Sequence, residues 1–354
     1  MSDHPYEALT PECILSAVES LGEFPSAATA QGMGSASASI RASASSSEAR
    51  PLYTDGRVLA LNSYENRVYQ VGIEEAEPLI VKFYRPERWS DAQILEEHGL
   101  TIELMEAELP VVPPLVWHGE TLHEFEGFRF SLFQRRAGRA ADMDDFDNLQ
   151  QLGRFLGRMH GVGAANSFKH RPAIDVQSFA IESLDFIAEN AIPQGLHESY
   201  TSIAKHLIDL VEQRLAEVGE VSLIRSHGDC HAGNILWREG KPNFVDFDDS
   251  RMAPAVQDIW MLLCGTREEQ ELQLGEVIEA YDQFNTFDPR QLLLIEPLRT
   301  LRMMHYAAWL ARRWDDPAFP KAFPWFNTER YWGEHILQLR EQFSALQEAP
   351  LRLL

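Results

Sequence analysis

Apolar residues near the start keep helical spacing at Ile14, Val18 and Leu21. Thr10-Pro11-Glu12 precedes them, with Thr10 suited to cap and Pro11 to the first turn, and Gly22 closes the segment. From Arg57 to Arg136 the pattern changes. Residues 58–61, 67–71, 79–84 and 125–133 alternate or run apolar, with β-branched and aromatic members, and read as strands. One helix interrupts them over residues 90–106, capped by Ser90 and closed before Pro110, with Ile94, Leu95, Leu100, Ile102 and Met105 as its apolar face. Beyond residue 137 the period is helical. Leu149, Leu152, Leu156 and Met159 stripe residues 148–160, residues 185–218 carry more helix, and residues 292–314 carry another. The expectation is an α+β fold of two lobes, the smaller mainly β with one helix, the larger mainly α.

These patterns divide the chain into a helical segment (1–24), a tract (25–50), a small lobe (51–137) and a large lobe (138–354). The tract PSAATAQGMGSASASIRASASSSEAR is too poor in apolar surface to offset chain entropy and reads as a flexible spacer, with Ser43, Ser45, Ser46 and Ser47 as candidate modification sites. The 354 residues carry a formal net charge of −23, which repels phosphate backbones and argues against nucleic-acid binding. An acidic surface also favours cationic acceptors, although solubility alone accounts for it. No apolar run is long enough for a membrane helix, and the acidic start lacks the features of a signal peptide. Three scattered cysteines, Cys13, Cys230 and Cys264, fit a reducing cytoplasm rather than a disulfide or zinc framework.

The chemistry concentrates in RSHGDCHAGNILWREGKPNFVDFDDS, residues 225–250. Asn234 follows Asp229 by five positions in a loop held by Gly228 and Gly233. Asp246 ends an apolar strand, so the order is loop, strand, turn, strand, acid. The protein-kinase template has these parts: an acid that meets the acceptor hydroxyl, an amide five residues on that holds Mg²⁺, and a second acid, ahead of a Phe, on the same metal. Asp229, Asn234 and Asp246 take those roles here, with Asp246-Phe247-Asp248 where kinases carry Asp-Phe-Gly. Lys82, inside an apolar strand, needs a partner. The template gives it the ATP phosphates and a carboxylate from the next helix, Glu97 with Glu96 as runner-up, since the two point about 100° apart. Asp248 and Asp249 read most simply as exposed acids. His160 and Asp258 read as structural, with Asp258 starting a helix over residues 259–264 and bonding the catalytic-loop backbone. His231 shapes the loop, and Cys230 is a buried inert thiol.

His227-Gly228-Asp229-Cys230-His231-Ala232-Gly233-Asn234 resembles the HGDxHxxN signature of the aminoglycoside phosphotransferase and choline kinase-like superfamily. The segments LNSYENRVY (61–69), VKFYRPERW (81–89), PAVQDIWMLL (254–263) and DPAFPK (316–321) are similar to the bacterial stress response kinases, serine/threonine protein kinases of that superfamily. The resemblance runs from about residue 59 onward and implies a protein-kinase-like fold, ATP and Mg²⁺ as cofactors, and Ser63 as an ATP-site position. It also implies transfer to serine or threonine of a protein, the chain itself included, in a stress response. Apart from the resemblance, a monomer is expected, in the cytoplasm that the cysteines fit. The Asn62-Ser63 turn has no glycine-rich loop, and the Ser/Ala tract has no counterpart in the resembling pattern. Two rivals share the motifs: a small-molecule hydroxyl kinase and a nucleotide-binding pseudokinase. The intact Lys82, Asp229, Asn234 and Asp246 argue against the last.

Overall fold

In the computed structural model, residues 6–24, 51–61 and 63–353 are described. The Ser/Ala tract with its serines, and Asn62, lie outside them. The chain forms two compact units. One comprises the described residues through Ala141 together with Gly233–Asp248; the other comprises Asp142–Ala232 and Asp249–Leu354.

The first unit is built on five antiparallel strands: β1 (Thr54–Ala60), β2 (Arg67–Ile73), β3 (Leu79–Phe83), β4 (His123–Phe125) and β5 (Phe128–Gln134), in the order β1-β2-β3-β5-β4. The run over 125–133 is therefore not one strand. Glu126 and Gly127 both take positive φ, 48° and 81°, and fold it into a tight hairpin. Helix α1 (Pro11–Glu19) starts on the Thr10 cap, where Oγ1 accepts from the Cys13 N–H. Its Ile14, Ala17 and Val18 pack in one cluster with Val71, Val81, Phe83 and Phe130 of the sheet. Helix α2 (Asp91–Glu106) starts on a full capping box of Ser90 and Gln93. Since strand side chains alternate faces, Val81 and Phe83 turn toward α1 and Lys82 away from it, to where α2 carries its carboxylate.

Residues 234–245 of this unit are a hairpin. The Val245 N–H donates to the Asn234 carbonyl at 3.0 Å, and Leu236 and Asn243 exchange two backbone bonds. Its turn is Glu239-Gly240, with φ of 54° and 75°, the geometry that matches strand twist. Phe244 is anchored in turn by bonds to Pro110 and Val112, just beyond α2.

The second unit is helical: α3 (Phe146–Ala164), α4 (Glu182–Asn190), α5 (His197–Val218), α6 (Val256–Trp260), α7 (Arg267–Tyr281), α8 (Ile295–Arg312), α9 (Ala318–Ala322) and α10 (Glu329–Ala345). Pro193 separates α4 from α5 where the sequence pattern reads as one helical stretch. The helix after Pro254 begins at Val256 and stops at Trp260, earlier than residues 259–264. Glycines let α3 press against α7. A Cβ on Gly153 would lie 2.3 Å from the Val277 carbonyl oxygen, and one on Gly157 2.6 Å from that of Tyr281. Residues of α4, α5, α8 and α10 form the main core together with Phe319 of α9 and Phe326 of the segment after it, and Tyr200 and Trp332 are among its largest members. In the Pro-, Phe- and Trp-rich residues 317–326, Phe319 and Phe326 are buried in this core, whereas Pro317, Pro320, Pro324 and Trp325 are exposed. Among the described residues, no helix is long and apolar enough to cross a membrane.

Candidate active site

In the first unit, strand β3 and helix α2 bring Lys82 and Glu97 together. The Lys82 Nζ is 3.6 Å from Glu97 Oε1, and both side chains are nearly fully buried. Glu97, not Glu96, is the α2 carboxylate that meets the lysine. Two further acids converge on it: Asp246 Oδ1 at 3.4 Å and Asp248 Oδ1 at 3.0 Å. Burial works against the charged lysine, but Asp248, Glu97 and Asp246 outweigh it and hold the ammonium well above the ordinary lysine range.

Asp248 corrects the reading of the acidic run as a solvated strand end. It is 3% exposed, and its other oxygen takes Arg88 Nη1 at 2.5 Å. Arg85 pairs with Glu65 at 3.0 Å, and its backbone N–H donates to Asn66 Oδ1. The ENRVY and YRPERW segments thus meet in one network, in which Glu65 joins Arg85 and Arg88 and Arg88 joins Asp248, as the cost of burying Glu65, Arg85 and Asp248 demands.

A cavity of about 320 Å³ is lined by Ser63, Lys82, Glu97, Asn234 and Asp246, with Leu61, Val68, Ile80, Val112 and Phe133 among its apolar members. The hairpin register sets Asn234 beside the approach to Asp246. Asp246 takes a positive φ of 61°, uncommon outside glycine but tolerated by Asp, and its side chain is 56% exposed. The Ser63 hydroxyl donates to the Asn66 carbonyl at 3.1 Å, which closes the turn between β1 and β2.

Asp229 belongs to the second unit. Its loop needs glycine at 228: φ is 83°, and a Cβ would lie 2.1 Å from the Asp249 carbonyl oxygen. Asp258, on α6, fixes the same loop. The backbone N–H of His227 donates to its Oδ2 and that of Gly228 to its Oδ1, each at 2.9 Å. His160 Nε2 stands 3.1 Å from Oδ2, so both predicted structural residues act together beneath the loop. Burial would raise the Asp258 carboxyl, but His160, His227 and the backbone bonds hold it below the usual range. Gln257 Nε2 donates to the Gly228 carbonyl at 3.0 Å.

Asp229 itself is mostly buried. Arg302 Nη2, from α8, lies 2.6 Å from its Oδ1, and His231 Nε2 lies 3.5 Å from its Oδ2. Against the upward pull of burial, His231, Arg302 and His227 keep this carboxyl well below the ordinary range. Cys230 beside it is fully buried, and burial pushes its thiol well up, so it is not a ready nucleophile. The sequence pattern did not reveal the parts played by Asp248, Arg88 and Arg302. For Arg302 the available signal was a run of arginines on a helix otherwise made of core residues.

Residues 57–295 match the model of the phosphotransferase enzyme family. Stress response kinase A of Escherichia coli (strain K12) is 47% identical over 300 residues, 84% of this chain and 90% of that protein. Serine/threonine protein kinase RdoA of Salmonella typhimurium (strain LT2) is 44% identical over 303 residues, 85% of this chain and 92% of that one. Among solved structures, amicoumacin kinase hAmiN, in complex with AMP-PNP, Ca²⁺ and Ami, aligns with a TM-score of 0.67 at 20% identity, covering 85% of this chain and 91% of its own. That likeness is one of fold, and it is the protein-kinase-like α+β fold expected from the sequence.

Proposed function

The chain belongs to the phosphotransferase enzyme family, and on that footing we propose that it is a serine/threonine protein kinase that uses ATP and Mg²⁺. The observation that carries the proposal is the buried Lys82–Glu97 pair in the wall of a cavity that Asn234 and Asp246 also line. The residues fit the groups they would hold. Apolar Leu61, Val68, Ile80 and Phe133 suit a flat base, and Lys82 suits phosphate. Asn234 and Asp246 offer oxygen donors, the ligands a hard cation takes when phosphates complete its shell. Ser63 belongs with them as a turn residue of the same cavity.

Glu97 positions Lys82, and Lys82 neutralises and orients phosphate. Asn234 and Asp246 would hold the metal, which when bound offsets charge on the β and γ phosphates. Asp229 orients the acceptor hydroxyl and takes its proton. The acceptor oxygen bonds to the γ-phosphorus as the bond to the bridging oxygen breaks, and ADP leaves. Such transfer depends mainly on alignment and charge stabilisation. Relatives named as a stress response kinase and a serine/threonine protein kinase, at 47% and 44% identity, support a protein acceptor and a stress-response role. The chain itself is included in this reading as an acceptor. Three free cysteines fit a cytoplasmic setting.

The test is incubation of the purified protein with γ-labelled ATP and Mg²⁺, alone and with a generic protein acceptor, beside Asp229→Ala and Asp246→Ala. Label on serine or threonine is expected from the wild type, with a loss of about 10²-fold or more in Asp229→Ala. Asp229-dependent label that enters only small metabolites would replace the protein acceptor. No transfer at all would overturn the kinase reading.

A further inference from the structure

The turn between β1 and β2 supplies Ser63 to the cavity wall. It carries no glycine from Leu61 to Arg67. Arg85, two residues beyond β3, takes up its backbone carbonyls: Nε donates to that of Glu65 at 2.9 Å and Nη2 to that of Tyr64 at 3.4 Å. The same guanidinium neutralises the Glu65 carboxylate at 3.0 Å, and the Arg85 backbone N–H donates to the Asn66 side chain. Arg67 Nη1 adds a bond to the Tyr64 carbonyl at 2.8 Å. Neither arginine is among the described residues that line the cavity. Tyr6, ahead of α1, lies over both: its ring centroid is 4.3 Å from Arg67 Cζ and 5.4 Å from Arg85 Cζ. Its hydroxyl is 3.4 Å from the Glu65 carbonyl oxygen, and its ring stacks on Phe128 of β5. Tyr6, Glu65, Asn66 and Arg85 are all buried.

We propose that Arg85 is a positioning residue for the nucleotide and that Tyr6 seats it: together they hold the β1–β2 turn in one place, so that ATP meets a rim already formed. The proposal rests on the reading of this cavity as the nucleotide site. A turn free to wander has to be ordered by its ligand, and fixing the backbone of one residue costs about tenfold in an equilibrium constant. Glycines would enlarge that freedom. Here a planar guanidinium spans two carbonyls and a carboxylate at once, a geometry that a lysine ammonium does not reproduce. Carbonyl oxygens also carry the wrong charge for a phosphate. Those of Tyr64 and Glu65 are drawn onto Arg85, and that of Asn66 onto the Ser63 hydroxyl. The segment ahead of α1 thereby belongs to the nucleotide site, although none of its described residues lines the cavity.

The experiment is calorimetric titration of the full chain with AMP-PNP and Mg²⁺, for the wild type, Arg85→Lys and Tyr6→Leu. Lysine keeps a charge for Glu65 but loses the fork. Arg85→Lys is expected to weaken binding about tenfold at unchanged stoichiometry. Tyr6→Leu, which keeps an apolar contact for Phe128, is expected to weaken it about threefold. Without nucleotide, amide hydrogen exchange over residues 63–67 should quicken in Arg85→Lys while that of β5 holds. A merely structural role would lower the fraction of protein able to bind and leave Kd as it is. That result in Arg85→Lys would overturn the inference and leave the nucleotide reading standing. Should Arg85→Lys not fold, Tyr6→Leu decides, and a wild-type Kd there would overturn the inference in the same way. A wild type that binds no AMP-PNP would overturn the nucleotide reading and the inference with it.

Discussion

Lys82 stands nearer to Asp248 than to Glu97: its Nζ is 3.0 Å from the first carboxylate and 3.6 Å from the second. The third residue of the Asp-Phe-Asp run is therefore a structural partner of the lysine, shared with Arg88 at 2.5 Å. Asp248→Asn would leave two buried cations with one carboxylate fewer. A loss of about 3 kcal/mol in unfolding free energy is expected, since breaking one side of a buried pair exposes the full cost of the other. Urea denaturation measures it, and the double variant with Lys82→Met should recover part of the loss. A change within error of zero would mean that the pair is not held in solution.

Asp258 couples the loop that carries Asp229 to pH. Its folded carboxyl is held below the usual range. The unfolded chain therefore takes up a proton first, near pH 4, and the stability contributed by this group is complete above that pH and lost as the pH falls further. Asp258→Asn should cost about 3 kcal/mol at neutral pH, because it loses charge-assisted bonds to two backbone N–H groups. The gap from the wild type should narrow below about pH 4. A gap that stays constant down to pH 3 would contradict the assignment.

His335 behaves in the opposite charge sense. It is stacked on Tyr331, and burial pushes its imidazole down to about 4. The unfolded chain binds this proton near pH 6.5. Stability is thus full above about 6.5 and falls by about 2 kcal/mol between pH 7.5 and pH 5 from this residue alone. His335→Phe is expected to flatten that part of the pH profile, read as the urea midpoint at the two pH values. A variant that tracks the wild type would show that His335 finds its proton without unfolding.

Gly228→Ala tests the loop itself. Both the positive φ and the 2.1 Å approach to the Asp249 carbonyl oxygen forbid a Cβ there, so the loop must shift. Phosphoryl transfer should drop by about a hundredfold, the usual effect of an ångström-scale displacement of a reacting group. Circular dichroism should show a retained fold. Wild-type turnover by the variant would mean that the loop tolerates another path.

Much of this arrangement was legible from residues close in sequence. Thr10 and Ser90 announce their helices by local capping chemistry, and the alternation in β3 turns Lys82 away from Val81 and Phe83. The offset from Asp229 to Asn234 and the strand before Asp246 are likewise local. What escaped was set by distant packing. Asp248 and Asp249 look like solvated acids, and Asp248 becomes an interior residue through Lys82 and Arg88, 166 and 160 positions earlier. The Arg302–Asp229 pair spans 73 positions, and its one hint in the sequence is the run of arginines on that helix. Residues 125–133 misled because two short apolar strands look continuous when a Glu takes the turn position usually left to Asn or Gly. Residues 233–248 follow the catalytic loop in sequence yet pack with the first unit, through bonds from Phe244 to the end of α2 that no window of neighbouring residues contains.

The hairpin over residues 234–245 has a practical corollary. Backbone bonds at Asn234–Val245, Leu236–Asn243 and Arg238–Lys241 fix its register before the chain reaches its exposed tip at Glu239-Gly240. The interval between the amide and the acid is therefore measured by the ladder and not by the tip. That tip is a natural port for foreign sequence: a short reporter or affinity tag spliced there would ride on the molecule without resetting the distance between Asn234 and Asp246.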